Sequence, residues 1–200
     1  QTITADGNIV RFFRITMNNA SGAELSNIGG SSNALVGNNS GGGLTFTAGS
    51  LTTNTNTVTL FESTNSNVLT EDNGKYLIGN LTVTKSVGTG SSTFGGIGVS
   101  INAGTDDLEN VTISRISGPA GSVTYDGKTG INRKWNITSV NPPTNGRDLT
   151  FTWISDDDNG KNMETAQVWK NGAGPWVAIG TPEDVPVPRN VISNIFKNLV

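Results

Sequence analysis

The sequence predicts an all-β protein with two unlike halves. Residues 1–93 read as a β-solenoid-like region of short strands, residues 94–182 as an antiparallel β-sandwich, and residues 183–200 as a Pro-rich linker and amphipathic tail. Three observations carry this. Apolar residues alternate with Thr, Ser and Asn, as where Leu149, Phe151 and Trp153 interleave with Thr150 and Thr152, the period of a strand with one buried face. Glycine occupies 26 of the 200 positions and divides the apolar runs into short pieces. Asn-Gly pairs at 145–146, 159–160 and 171–172 are two-residue turn signals, because both residues tolerate positive φ.

Taken in order, the first half offers strands at Asn8–Asn18, Gly43–Thr47, Ser50–Thr53, Thr57–Glu62, Lys75–Ile78 and Asn80–Lys85. The run LTFTAGSLTTNTNTVTLF reads as successive short strands separated by corners, the texture of stacked parallel coils. No strict repeat length emerges, so an antiparallel sandwich of short strands is the competing arrangement. Gly88–Gly95 marks a hinge or crossover between the halves. Strands then follow at Gly98–Asn102 and Asn110–Ser117. A meander is expected at Trp135–Val140, Asp148–Ile154, Ala166–Lys170 and Trp176–Ile179, joined by the Asn-Gly turns. TPEDVPVP holds three prolines and should be extended. Beyond it, Ile192, Ile195, Phe196 and Leu199 recur at helical spacing; with Val191 they form an amphipathic surface suited to subunit contact. An edge-pairing strand is the alternative for this tail, since twelve residues are marginal for a helix.

Composition excludes several function classes. The chain has no cysteine and no histidine, which removes disulfides, thiolate or imidazole metal sites and His-dependent catalysis. A net charge of −3 gives no electrostatic basis for binding nucleic acid, and no apolar run is long enough to span a bilayer. The chain begins at Gln1 and reads as a segment of something longer.

Among candidate sites, Asp156, Asp157 and Asp158 gather three carboxylates in SDDDNG, an oxygen-rich turn of the kind that binds Ca²⁺. The spacing fails an EF-hand: with Gly160 at the sixth loop position, the twelfth is Ala166, where a bidentate Glu belongs. A solvated hairpin tip is the plainer reading. Trp169, of parity opposite to Val168, and Trp176, after a Gly-Pro turn, are the tryptophans that can stand at the surface and stack on a sugar. Core packing or an inter-subunit contact is the plainer use. Trp135 and Trp153 share the parity of core neighbours. The remaining acids, Glu71 among them, fall at inferred turns and strand ends where surface charge is expected. Alternate threonines, as at Thr53, Thr55, Thr57 and Thr59, line one strand face.

Five stretches in order resemble the modular secreted surface adhesins of Bacteroidota and other cargo of the type IX secretion system. They are LTFTAGSLTTNTNTVTLF, YLIGNLTVTKSV, FGGIGVSINAGTDDLENVTISRISG, INRKWNITSVNPPTNGRDLTFTWISDDDNGKN and AQVWKNGAGPWVAIG. The resemblance implies a structural or adhesive module of a large extracellular protein or filament, exposed at the cell surface. It carries no catalytic residues, so no enzyme is expected. The implied partners are other copies or neighbouring modules of the same protein. The alternative is a carbohydrate-binding module that meets cell-surface glycans through Trp169 or Trp176 and a Ca²⁺-loaded acidic turn.

Overall fold

The computed structural model describes residues 2–5, 10–27, 33–37, 42–61, 68–172 and 174–194, and the fold is all-β. In the first half the chain returns repeatedly above itself. Its strands are Thr2–Ala5 (β1), Val10–Phe12 (β2), Arg14–Asn18 (β3), Ala23–Asn27 (β4), Asn33–Val36 (β5), Gly43–Ala48 (β6), Leu51–Phe61 (β7), Leu69–Thr70 (β8) and Leu77–Val87 (β9). Every pairing among them is parallel: β1 with β4, β4 and β5 with β7, β7 with β9, β2 with β5, and β3 with β6 and β6 with β8. Residues returning to one register position differ in separation, as Ala23–Leu51 and Ala34–Val58 show, which explains why no strict period is visible in the sequence.

Corners depend on particular residues. β7 bends between Thr52 and Thr57, where Asn54 takes φ 53° and the amides of Asn54 and Asn56 both donate to the Leu25 carbonyl. One turn further on, the Asn80 amide donates to the Asn54 and Asn56 carbonyls. Buried backbone oxygens that leave the ladder at a bend must find donors, and asparagine supplies them. The expected run of separate strands over Ser50–Thr53 and Thr57–Glu62 is thus one bent strand, at least as far as Phe61.

The second half comprises Ser92–Thr93 (β10), Val99–Ile101 (β11), Glu109–Ser117 (β12), Thr124–Tyr125 (β13), Lys128–Thr129 (β14), Arg133–Ser139 (β15), Asp148–Trp153 (β16), Ala166–Lys170 (β17), Val177–Glu183 (β18) and Arg189–Asn194 (β19). Here every pairing is antiparallel. β12 lies between β9 and β15, a second sheet runs β10–β11–β16–β19, and β13–β14 and β17–β18 are separate hairpins. The strands on either side of the expected division at 93/94 share one sheet and one core. Val36, Leu60, Val83, Ile113 and Ile137 form a single register line through β5, β7, β9, β12 and β15, all five buried. Each such side chain contributes roughly 1.5–3 kcal/mol by leaving water. Trp135 on β15 packs against Phe151 on β16, ring centroids 5.1 Å apart, and its Nε1 donates to the Ile97 carbonyl across the sheets.

Two expectations are corrected. The strands of the meander occur near their expected positions, but only β17 and β18 pair with each other, and there Lys170 faces Val177 across a connection longer than the two-residue Asn-Gly turn expected. β15 pairs with β12, and β16 pairs with β11 and β19. Asn145-Gly146 instead belongs to a loop held by Asp106, which accepts from the Thr144 N–H and hydroxyl. As far as Asn194 the tail is the edge-pairing strand that stood as the alternative to a helix: Val191 and Ile192 lie in β19, opposite Phe151 and Thr150 of β16. An edge of β16 satisfies the backbone groups that a short isolated helix would leave partly unpaired. Ile195, Phe196 and Leu199 lie outside the described residues.

Candidate functional site: the acidic turn and the aromatic hairpins

Alternation along β12 places Val111, Ile113, Arg115 and Ser117 inward. Arg115 therefore occupies a core position, opposite Leu81 on β9, and is fully buried. Its two terminal nitrogens donate to the two carboxylate oxygens of Glu71, both at 2.7 Å. Glu71 sits at the corner between β8 and β9 and also accepts from the Leu77 N–H at 3.0 Å. Arg133, at the start of β15, approaches the same carboxylate at 3.5 Å and donates through Nε to Asp157 at 2.6 Å. Glu71 was expected at the surface; it is instead the centre of a buried network. The signal for it was present in Arg115, a charged residue in the inward phase of VTISRIS, but its partner is not a sequence neighbour.

The acidic turn does not form the hairpin tip that Asn159-Gly160 predicts. Ser155–Asp158 make one 3₁₀ turn, closed by Asn159 in the left-handed region and Gly160 at φ 65°. This geometry sends the three carboxylates to three different partners. Asp156 accepts from the Gly74 N–H at 2.6 Å while its own N–H donates to Asn73, which fastens the turn to the corner before β9. Asp157 is buried and accepts from Arg133 and, at 3.3 Å, from the Gly118 N–H. Asp158 accepts from Trp153 Nε1 at 2.8 Å and from Arg189 Nε and Nη2 at the start of β19. Among the described residues no group of three acids converges as metal ligands would. The arrangement is chemically a clamp: one turn holds the parallel half, β15 and β19 together.

Burial sets the electrostatics. Desolvation pushes the Glu71 carboxyl up, but the Arg115 and Arg133 guanidiniums and their hydrogen bonds outweigh it, so Glu71 is held below the ordinary carboxylate range. At Asp157 burial prevails over Arg133 and the carboxyl is raised. Burial and the neighbouring Arg115 lower Arg133. A third arginine, Arg147, is also buried and donates to four carbonyls, those of Asn102, Gly88, Thr89 and Gly90. The Gly-rich segment expected as a hinge is therefore anchored at its start.

No family model, curated protein or solved structure matches this chain.

The two hairpins outside the large sheets bring two exposed aromatic residues together, while the other exposed aromatics among the described residues, Phe13 and Phe61, lie in the parallel half. Tyr125 on β13 and Trp169 on β17 bring their rings to 6.5 Å, tilted by 55°, and Lys128 on β14 places its Nζ 5.3 Å from the centre of the Trp169 ring. Trp176 is half-buried and precedes the exposed Val177. Trp153 is held by Asp158, as described, and Trp135 by the core. Of the two expected ligand tryptophans, the structure surrounds Trp169 with a second ring and a cation, both from a hairpin the sequence did not single out.

Proposed function

We propose that this chain is a structural and adhesive module of a large extracellular bacterial surface protein or filament, working by self-association and spacing. In this reading the stacked parallel turns are coils of a β-solenoid that supply a rod, and the sheet containing β16 closes over β12 and β15 as a sandwich-like unit. The observation that carries the reading is the difference between the two ends of the parallel stack. β9 is covered by antiparallel β12, whereas β1, β2 and β3 each pair on one side only among the described residues. Strands with one unpaired edge accept another strand, and a further copy or neighbouring module extends the same parallel ladders. Arg11 and Arg14 stand exposed on these strands and restrict indiscriminate pairing. β19 is the last strand of its own sheet and offers a second edge.

The test is multi-angle light scattering with electron microscopy of the full chain and of a variant carrying Thr2→Lys, Thr16→Lys and Asn18→Lys on the open edge. Concentration-dependent oligomers or fibres that the lysines abolish support the reading. A monomer at every concentration, or assembly indifferent to the lysines, refutes it.

A further inference from the structure

We infer that Tyr125, Lys128 and Trp169 form a binding site for an uncharged pyranose sugar. This goes beyond the assembly role, which uses strand edges elsewhere in the molecule.

Tyr125 and Lys128 are register partners across the β13–β14 turn, so the hairpin presents a ring and an ammonium side by side. Both reach Trp169 on the other hairpin. Neither hairpin belongs to a larger sheet, and both rings stay more than a third exposed, Tyr125 at 39% and Trp169 at 36%. Large aromatic surface left in water at a meeting of two hairpins is a recognised mark of an interaction site. Ala178, the register partner of Trp169 on β18, is exposed as well and leaves room beside the ring.

The polar groups around the rings indicate what would bind. A pyranose offers one face of C–H groups and a rim of hydroxyls, each both donor and acceptor. The tilted Tyr125 and Trp169 rings form a shallow corner that takes the C–H face. Lys128 donates, and Asp126, exposed in the turn between Tyr125 and Lys128, accepts. Lysine's flexible four-carbon stem lets the ammonium leave the ring face to meet a hydroxyl. Asp126 and Lys128, one acid and one base within the same turn, cancel in net charge, which suits a neutral sugar. The Thr124 and Thr129 hydroxyls, 3.1 Å apart one step along the hairpin, add a further polar edge.

The experiment follows the indole N–H resonances of the four tryptophans in the ¹⁵N-labelled full chain. The probes are cellotetraose, xylotetraose, mannotetraose and chitotetraose, with tetragalacturonate as the charged comparison. We expect at least one neutral tetrasaccharide to shift the Trp169 resonance saturably. Trp169→Ala should weaken that binding by about tenfold or more. Trp169→Phe, which keeps a ring for hairpin packing, should retain binding and guards against a variant that merely unfolds the hairpin. Tyr125→Ala should weaken binding in the same direction as Trp169→Ala. Silence from all four neutral probes overturns the inference, as does unchanged binding in Trp169→Ala. A response to tetragalacturonate alone overturns the assignment to uncharged sugars. A Trp169 resonance that moves on protein dilution but with no sugar marks a contact between copies and also overturns it.

Discussion

Arg115 and Glu71 form a two-pronged ion pair in the core, each guanidinium nitrogen 2.7 Å from its own carboxylate oxygen. They come from β12 and from the corner before β9, so the pair ties the antiparallel half to the parallel one. Removing either partner leaves a buried charge without its nearest counter-charge, and for Glu71 only the more distant Arg133 and the Leu77 N–H remain. Glu71→Leu or Arg115→Leu should each cost about 3–5 kcal/mol of unfolding free energy. The double replacement Glu71→Leu with Arg115→Leu should cost less than either single change, since apolar side chains of similar size often replace a buried pair without loss. Urea unfolding of the four proteins closes the cycle, and additive costs would show that the pair does not act as a unit.

The same pair sets a response to acid. Glu71 has its carboxyl held below the ordinary value of 4.5, so its contribution is fully present above that pH and is lost as pH falls through the folded value. Asp157, raised by burial, works in the opposite sense: its ionised form is disfavoured in the fold, and lowering the pH relieves that cost. The gap in Tm between the wild-type chain and Glu71→Gln should therefore narrow as pH is lowered below 4.5. The difference between wild type and Asp157→Asn should instead shift in favour of wild type as the pH falls. Thermal scans across this range decide it.

Gly79 has φ 109°, and a Cβ placed there would lie 2.1 Å from Thr53 Oγ1. That hydroxyl is itself engaged, accepting from the Asn80 N–H at 2.8 Å. Gly79→Ala thus combines a disfavoured backbone conformation with a clash against a buried side chain, and a loss on the order of 2–4 kcal/mol is expected. Gly74→Ala, with φ 70° and nothing within 4 Å of the added carbon, should lose only the conformational part, about 1 kcal/mol. Chemical denaturation of the two variants separates space from strain.

Asp158 holds the start of β19 through Arg189 and holds Trp153 at the same time. Asp158→Ala should accelerate amide exchange across Arg189–Asn194 while leaving β9 and β12 protected, because the loss falls on one edge strand. Hydrogen exchange read by mass spectrometry tests this, and equal acceleration throughout the sheets would contradict it.

Since Asp156, Asp157 and Asp158 are each engaged by amide or guanidinium donors, calcium addition and chelation should both leave Tm unchanged. A calcium-dependent rise in Tm would show that the turn can rearrange to bring its carboxylates together.

Much of the local structure was legible in the residues. Period-2 alternation determined where β12, β15, β16 and β17 lie, because a strand exposes its faces in that rhythm whatever its neighbours are. The turn signal after β17 marked a reversal into β18, though not a two-residue turn, and Trp169 is exposed as its parity against Val168 allowed. The absence of cysteine and histidine ruled out whole classes of chemistry before any coordinates. Pairing was decided only by the tertiary structure. Alternation tells a strand which face is buried and nothing about which strand lies beside it, so β15 joined β12 and not β16. The described part of the tail, as far as Asn194, is a strand, because an unpaired edge of β16 was there to meet it. The fates of Glu71 and of the acidic turn were decided in the same way. Charge in a turn is ordinarily solvated, and only the arrival of Arg115, Arg133 and Arg189 from distant strands turned these carboxylates into a clamp at the join of the two halves.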